Sequence, residues 1–592
     1  MKNIDNNKKM NDFISPPPCP PPRGGGRQFG EGASPPHLDT LNNIDLKLSS
    51  IEINNLSLKE KLSQMFILGF SGTCLNSKNK NIQNLAKNGL GGVILFAENI
   101  ASYNQIRDLS KELQDISKMP LFISIDQEGG LVERTINIKN KIDYLTAMAL
   151  ASTQNPGLIK SHTQIMAEEL KFMGVNMNFA PVLDVNTNKD NPIIGVRSFG
   201  CNAEAVIKYS EPVYKTFIEN NIIPVGKHFP GHGETSVDSH LDMPVADLSF
   251  EELENIHIKP FKRAINNGLD ALMIAHVFYK NFPYIKNMTE LTAKDYVARS
   301  KKLTTPSLKG GGRGWVKPKN IPASLSSEII TNYLKEKLNY KGLIISDDMV
   351  MGGISKHYNY LDACIKGINA GIDLFIFRNS DDEILKLINE LVNAVENSLI
   401  SIERINESVE KILFIKEKYG IIDTTVIANK AAKQSNHLTV HSNEQINKIA
   451  IKSIKIAQKG NLIPLKKDKN FLILSPDKSK IFNLSKDSSK ISDFLKEIKH
   501  KELIYSLNPE KEEIENILNL TKNFDAVIFV EYNSIFFKNQ LELIKKIKTP
   551  VILINTGVPC TLDNSKKTDS LIKSYCLRKP SIEALAHIIQ GN

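Results

Sequence analysis

From about residue 50 to residue 420 the chain alternates short, unbroken apolar runs with longer amphipathic stretches. The runs are QMFILGF (64–70), GGVILF (91–96), LFISID (121–126), VNMNFAPVLDV (175–185), IPVGKHF (223–229), ALMIAHVF (271–278), GLIISDD (342–348) and DLFIFR (373–378). Stretches such as YNQIRDLSKELQDIS, EAVIKYSEPVYKTFIE, SSEIITNYLKEKL and DEILKLINELVNAVE lie between them, with apolar residues at helical spacing. Runs that are apolar throughout, rather than at every second position, predict strands covered on both faces, as in a parallel sheet. Eight such strands with helices between them predict an α/β fold, a closed (β/α)8 barrel of the TIM type. An open, doubly wound sheet is the competing architecture, and pattern alone does not separate the two. Beyond about residue 425 the rhythm continues with FLILSP (471–476), AVIFVEY (526–532) and VILINTG (551–557). That predicts a smaller α/β domain of the αβα-sandwich kind. Neither GxGxxG nor GxxxxGK[ST] occurs there, so it carries no nucleotide fingerprint.

Length and composition bound this picture without changing it. The 592 residues are 41% hydrophobic and 24% charged, as in a globular protein, and no run approaches the roughly 18 apolar residues of a membrane-spanning helix. The sequence therefore divides into a Pro/Gly-rich tail (1–47), a barrel domain (48–422) with a surface insertion at 297–320, and the C-terminal domain (430–592). The tail and the insertion share a GGGR core, and the insertion holds the single tryptophan, Trp315. The net charge of +10 is spread thinly, and clusters such as KKDK (466–469) and KKIK (545–548) read as solvated faces rather than a nucleic-acid stripe. The six cysteines form no CxxC pair and the N-terminus has no apolar leader segment, so a cytoplasmic protein is expected, with no metal cluster, disulfide framework or membrane attachment.

Candidate chemistry falls where a barrel fold puts it, at the C-terminal ends of the strands. The third run ends in Asp126, followed by QEGG and Arg134; the fourth ends near Asp184; the seventh ends in Ser346, Asp347 and Asp348. The fifth runs into KHFPGHGETSVDSH, which holds Lys227, His228, His232, Asp238 and His240. His228 and His232 are four apart, as in a helical zinc motif, but Pro230, Gly231 and Gly233 argue against a helix there, so metal ligation is disfavoured. Asp238-Ser-His240 suits proton transfer: a carboxylate that fixes the tautomer of a neighbouring imidazole leaves its other nitrogen free to exchange a proton near neutral pH. Either an Asx turn at Asp238 or a helix cap at Asp347 would be the ordinary alternative. Asp347, at a strand end two strands beyond the His segment, is a candidate nucleophile.

Taken together, KHFPGHGETSVDSH, ISIDQEGGLVER, FAPVLDV, IIGVRSF and LIISDDM resemble, in order and rough spacing, the family 3 glycoside hydrolases. The DSH segment resembles the β-N-acetylhexosaminidase branch that works in peptidoglycan recycling. The resemblance spans roughly 55–420 and implies a retaining exo-β-N-acetylglucosaminidase acting on muropeptide fragments such as GlcNAc-1,6-anhydroMurNAc. It implies Asp347 as the nucleophile that forms a glycosyl-enzyme, His240 as general acid/base, and Asp238 as the orienting partner of His240. It also implies that Asp126, Arg134, Arg197, Lys227 and His228 hold the sugar, with no cofactor and no obligate protein partner. A family 3 β-glucosidase or xylosidase, in which the acid/base usually comes from the second domain, and a non-catalytic sugar-binding relative are the alternatives. Two departures stand out. Leu131 and FAEN (96–99) replace residues that are often basic in relatives, which is expected to soften contacts to the outer parts of the substrate.

Overall fold

In the computed structural model all eight apolar runs become strands of one closed parallel barrel: β1 (Phe66–Leu68), β2 (Gly92–Leu95), β3 (Phe122–Ile125), β4 (Met177–Asn178), β5 (Ile223–Phe229), β6 (Ala271–Ile274), β7 (Leu343–Asp348) and β8 (Leu374–Phe377). The structure describes residues 53–239, 241–283, 320–422, 435–481, 484, 488–558 and 568–591, with the backbone alone for 435–440. The tail at 1–47, the insertion (apart from Asn320) and His240 lie outside the described residues. Each strand pairs in parallel with its sequence neighbours and β8 closes on β1, so the open sheet is excluded. The strands are buried almost throughout, as their unbroken apolar composition requires.

The helices between strands follow the expected stretches. In 103–116, Ser102 caps the first turn by accepting from the Gln105 N–H, and Ile106, Leu109 and Leu113 make the buried face at spacings of three and four. Helix 382–396 starts on Asp381, whose carboxylate accepts from the N–H groups of Glu383 and Ile384. The stretch 328–337 is helical as expected but winds as a π-helix, which brings Ile329, Ile330, Tyr333 and Leu334 onto the buried side.

The C-terminal domain is a six-stranded mixed sheet: β9 (Lys455–Gln458), β10 (Asn470–Pro476), β11 (Lys499–Tyr505), β12 (Ala526–Glu531), β13 (Val551–Asn555) and β14 (Ser570–Lys573), in spatial order β9-β14-β13-β12-β10-β11. Only β9 runs antiparallel to its neighbour. Leu472, Leu474, Val527, Phe529 and Leu553 pack with Ile514, Ile517 and Leu543 from the covering helices. Among the contacts that tie this domain to the barrel are two near the end of β3. Arg578 Nε donates to the Gly130 carbonyl at 2.8 Å, and Thr146 Oγ1 donates to the Tyr575 carbonyl at 2.9 Å. No helix among the described residues is long and apolar enough to cross a membrane.

Candidate active site

The turn after β3 is shaped by its glycines. Gly129 and Gly130 have φ of +97° and +62°, and an added Cβ would lie 2.4 Å from the Leu145 carbonyl oxygen or 2.2 Å from the Thr146 methyl group. Only glycine fits both the left-handed backbone and that close approach. The reversal carries Arg134 back over Asp126: Arg134 N–H donates to Gln127 Oε1 at 2.8 Å, and its Nη2 donates to Asp126 Oδ2 at 3.1 Å. Asn178 on β4 fixes the start of the turn by exchanging two hydrogen bonds with the Gln127 backbone, at 3.0 and 2.9 Å. Phe96, in the FAEN segment, lies beneath the Arg134 guanidinium, 5.7 Å from ring centre to carbon. Arg134 Nε is buried without a hydrogen-bond partner among the described residues.

Lys227, near the end of β5 and 2% exposed, joins two carboxylates. Its Nζ donates to Asp126 Oδ1 at 2.8 Å and reaches Glu128 Oε1 at 2.7 Å. Glu128 also takes a two-pronged pair from Arg197, with Nε and Nη2 each at 2.8 Å. Burial alone would push both carboxyls up, but the surrounding cations win: Lys227 and Arg134 hold Asp126 far below the usual range, and Arg197 and Lys227 bring Glu128 to about 2. Both carboxylates are therefore ionised at neutral pH, and with Lys227, Arg134 and Arg197 they form a largely buried set of donors and acceptors with one excess positive charge.

His228 is an extra residue in its ladder. Lys227 faces Met273 and Phe229 faces Ile274, so His228 forms a bulge, and its N–H turns to the buried carboxylate of Asp184 at 3.2 Å. Its Nδ1 meets Asp184 Oδ2 at 2.7 Å. The same carboxylate accepts the His232 N–H at 2.7 Å. His232 follows the strand on a loop, not a helix, and both its ring nitrogens are engaged: Nδ1 by Thr235 Oγ1 at 2.7 Å and Nε2 by Ser239 Oγ at 3.2 Å.

Asp238 is half-buried, and its carbonyl accepts from the N–H groups of Leu241 and Asp242 at 2.9 and 3.1 Å. Ser239 attaches this segment to the turn after β7, its carbonyl accepting from the Gly353 N–H at 3.0 Å. On β7 the two aspartates divide. Asp348 is bound by Arg378 Nε and accepts the Val350 N–H at 3.1 Å, a structural assignment. Asp347 stays half-buried at the mouth of the barrel, one oxygen accepting the Asp348 N–H at 2.8 Å. The structure thus places Asp126, Arg134, Arg197, Lys227, His228, Asp238 and Asp347 at the C-terminal ends of β3, β4, β5 and β7 and the loops that follow. Charged donors that converge on two carboxylates suit a polyhydroxylated substrate.

A model of the glycosyl hydrolase family 3 N-terminal domain matches residues 57–415. The chain belongs to this family. As a family 3 glycoside hydrolase it is 29% identical over 460 residues to a β-hexosaminidase A of Pseudoalteromonas piscicida, covering 72% of each chain. It is 31% identical over 306 residues to a β-hexosaminidase of Actinobacillus pleuropneumoniae serotype 5b, covering 51% of this chain and 78% of that one. A solved family 3 β-N-acetylglucosaminidase from Paenibacillus sp. FPU-7 superposes with a TM-score of 0.78 at 30% identity, covering 90% of this chain and 97% of that one. The two-domain architecture is thus shared with a solved member of the family.

Sequence reasoning left Glu128 unassigned, although it stands in the QEGG motif. A charge count held the signal: three expected sugar-binding cations had only Asp126 as a partner. Leu131 lines a small interdomain cavity with Val196, Leu484, Tyr532 and Tyr575, an apolar setting that a leucine suits.

Burial also sets the enzyme's acid response. Burial lowers His232 and His257 to about 4 and His162 to about 3, so each is neutral when folded. A folded pKa below the unfolded value near 6.5 means that the folded state binds fewer protons between the two. Stability is therefore full above about 6.5 and falls as pH drops toward 4, by roughly 3 kcal/mol for each fully buried imidazole. Glu169, which burial raises to about 7, acts in the opposite direction but is a single group. Urea midpoints measured from pH 7 to pH 4 are expected to decline steadily, and a flat profile from 6.5 to 4.5 would contradict this account.

Proposed function

We propose that this family 3 enzyme is a retaining exo-β-N-acetylglucosaminidase that releases N-acetylglucosamine from muropeptide fragments such as GlcNAc-1,6-anhydroMurNAc during cytoplasmic cell-wall recycling. Asp347 attacks the anomeric carbon as the bond to the leaving oxygen breaks, giving a glycosyl ester. His240, oriented by Asp238, donates the proton to that oxygen. It then takes a proton from water as the water attacks the same carbon and frees Asp347, with net retention. Most retaining glycosidases use two carboxylates; here an imidazole takes the second place. Asp126, Arg134, Arg197, Lys227 and His228 hold the sugar, and the unpartnered Nε of Arg134 is a donor that a hydroxyl would satisfy.

One observation carries this reading. The Asp238–Ser239 segment, borne by the barrel itself, is bonded to the turn that follows Asp347, so no group from the second domain is needed to flank the scissile bond. The test is hydrolysis of an aryl N-acetyl-β-glucosaminide against the matching aryl glucoside, followed by mass identification of the products from GlcNAc-1,6-anhydroMurNAc. Preferential release from the N-acetylated substrates supports the assignment; preference for the glucoside would replace it with a β-glucosidase.

A further inference from the structure

Between residues 236 and 243 the chain after β5 lies mostly at the surface: Val237 is 42% and Leu241 66% exposed. Ser239 is the exception, 2% exposed, and it alone is buried among the described residues of that stretch. It separates Asp238 from His240. We infer that Ser239 is a positioning residue for proton transfer, a peg that docks the acid/base segment onto His232 and onto the turn behind the nucleophile. The inference rests on the reading of Asp238 and His240 as the acid/base pair.

His232 is built to receive the peg. Its N–H is held by Asp184, the carboxylate that also holds His228, so the receptor shares its anchor with a proposed sugar-binding residue. The Thr235 hydroxyl donates to the His232 carbonyl at 3.0 Å, so its oxygen accepts the proton of Nδ1 at 2.7 Å. That network leaves Nε2 as an acceptor for the Ser239 hydroxyl at 3.2 Å. Asn191 Nδ2 also donates to the His232 carbonyl, at 2.8 Å, and closes the loop from a second side.

The main chain of Ser239 completes the docking. Its carbonyl accepts from Gly353, where an added Cβ would lie 3.1 Å from the His276 carbonyl oxygen and 3.4 Å from that of Ser239. Glycine therefore permits the close approach of three backbones. His276 in turn meets the Asp348 carbonyl through Nε2 at 3.2 Å, and Asp242 meets His357 at 2.7 Å on the same turn. The segment around His240 is thus attached on both sides of that residue to the turn after β7. The distance between a proton donor and a nucleophile acting on one bond depends on such ties.

The experiment measures kcat/KM for a series of aryl N-acetyl-β-glucosaminides, from 2,4-dinitrophenyl to phenyl, with thermal unfolding of every variant. A proton donor matters most where the leaving group is poor. Ser239→Ala is expected to lose about 10- to 100-fold on phenyl and about threefold or less on dinitrophenyl, a fraction of the acid term of 10²–10⁴. Ser239→Thr, which restores the hydroxyl, is expected to recover most of the loss. Gly353→Ala is expected to show the same dependence and serves if Ser239→Ala unfolds. His240→Ala is the control. If it is leaving-group dependent while Ser239→Ala and Gly353→Ala lose equally on all substrates, or not at all, the peg is overturned and the acid/base reading stands. If His240→Ala itself shows no such dependence, the acid/base reading fails and this inference with it.

Discussion

Asp347→Ala is expected to lower kcat/KM on aryl N-acetyl-β-glucosaminides on the order of 10⁴-fold or more, the scale of losing a group that forms the covalent intermediate. The fold is expected to survive, because the turn after β7 is held by its neighbour. Asp348 binds Arg378 and the Val350 N–H, and its carbonyl meets His276. What Asp347 gives the backbone is a local hydrogen bond to the Asp348 N–H, worth about 1 kcal/mol. Asp348→Ala should do the reverse in stability, unfolding the turn by removing the Arg378 pair. The two variants therefore separate a chemical role from a structural one on adjacent residues. Azide supplied to Asp347→Ala should restore turnover of dinitrophenyl substrate by attacking the anomeric carbon from the vacated face, giving a glycosyl azide of the opposite configuration. Wild-type-like rates in Asp347→Ala, or an azide product of unchanged configuration, would remove Asp347 from the chemistry.

The barrel was legible in the sequence because its strands are buried on both faces, which makes them unbroken apolar runs that can be counted. In the second domain that signal fails at the periphery. β9 (KIAQ) is largely exposed, and β11 (KHKELIY) is an edge strand with lysines guarding its open side, so neither reads as a buried run. β14 (SLIK) is buried but only four residues long. At the candidate site, strand-end position made Asp126, Lys227 and Asp347 candidates. The ties that orient them were not legible, because they join residues far apart in the chain. Lys227 finds Glu128, and His228 finds Asp184, only when the barrel closes. The peg on His232 depends on a loop path after Pro230 and Gly231 that no periodicity encodes.

Those long-range ties set the second large effect. Lys227→Met is expected to cost about 1–3 kcal/mol of stability at pH 7, the penalty of leaving two buried carboxylates each one hydrogen bond short. The thioether chain fills the volume, so the cost is electrostatic rather than a cavity. Asp126 keeps Arg134 and Glu128 keeps Arg197, but the shared cation between the two carboxylates is gone. Both carboxyls then rise from their depressed positions toward the unfolded value, because each loses the Lys227 ammonium but keeps an arginine. A carboxyl depressed in the folded state gives stability that is lost as pH falls below the unfolded value, and the variant has less of it to lose. The gap between wild type and Lys227→Met should therefore hold from pH 7 to pH 5 and narrow below about pH 4 in urea titrations. Activity should fall by on the order of 10²-fold or more, through the lost charged hydrogen bond to the sugar and the loosened Asp126. A stability difference below about 1 kcal/mol at pH 7 would mean that water replaces the ammonium without penalty, and the cluster would then not be the prearranged sugar site proposed.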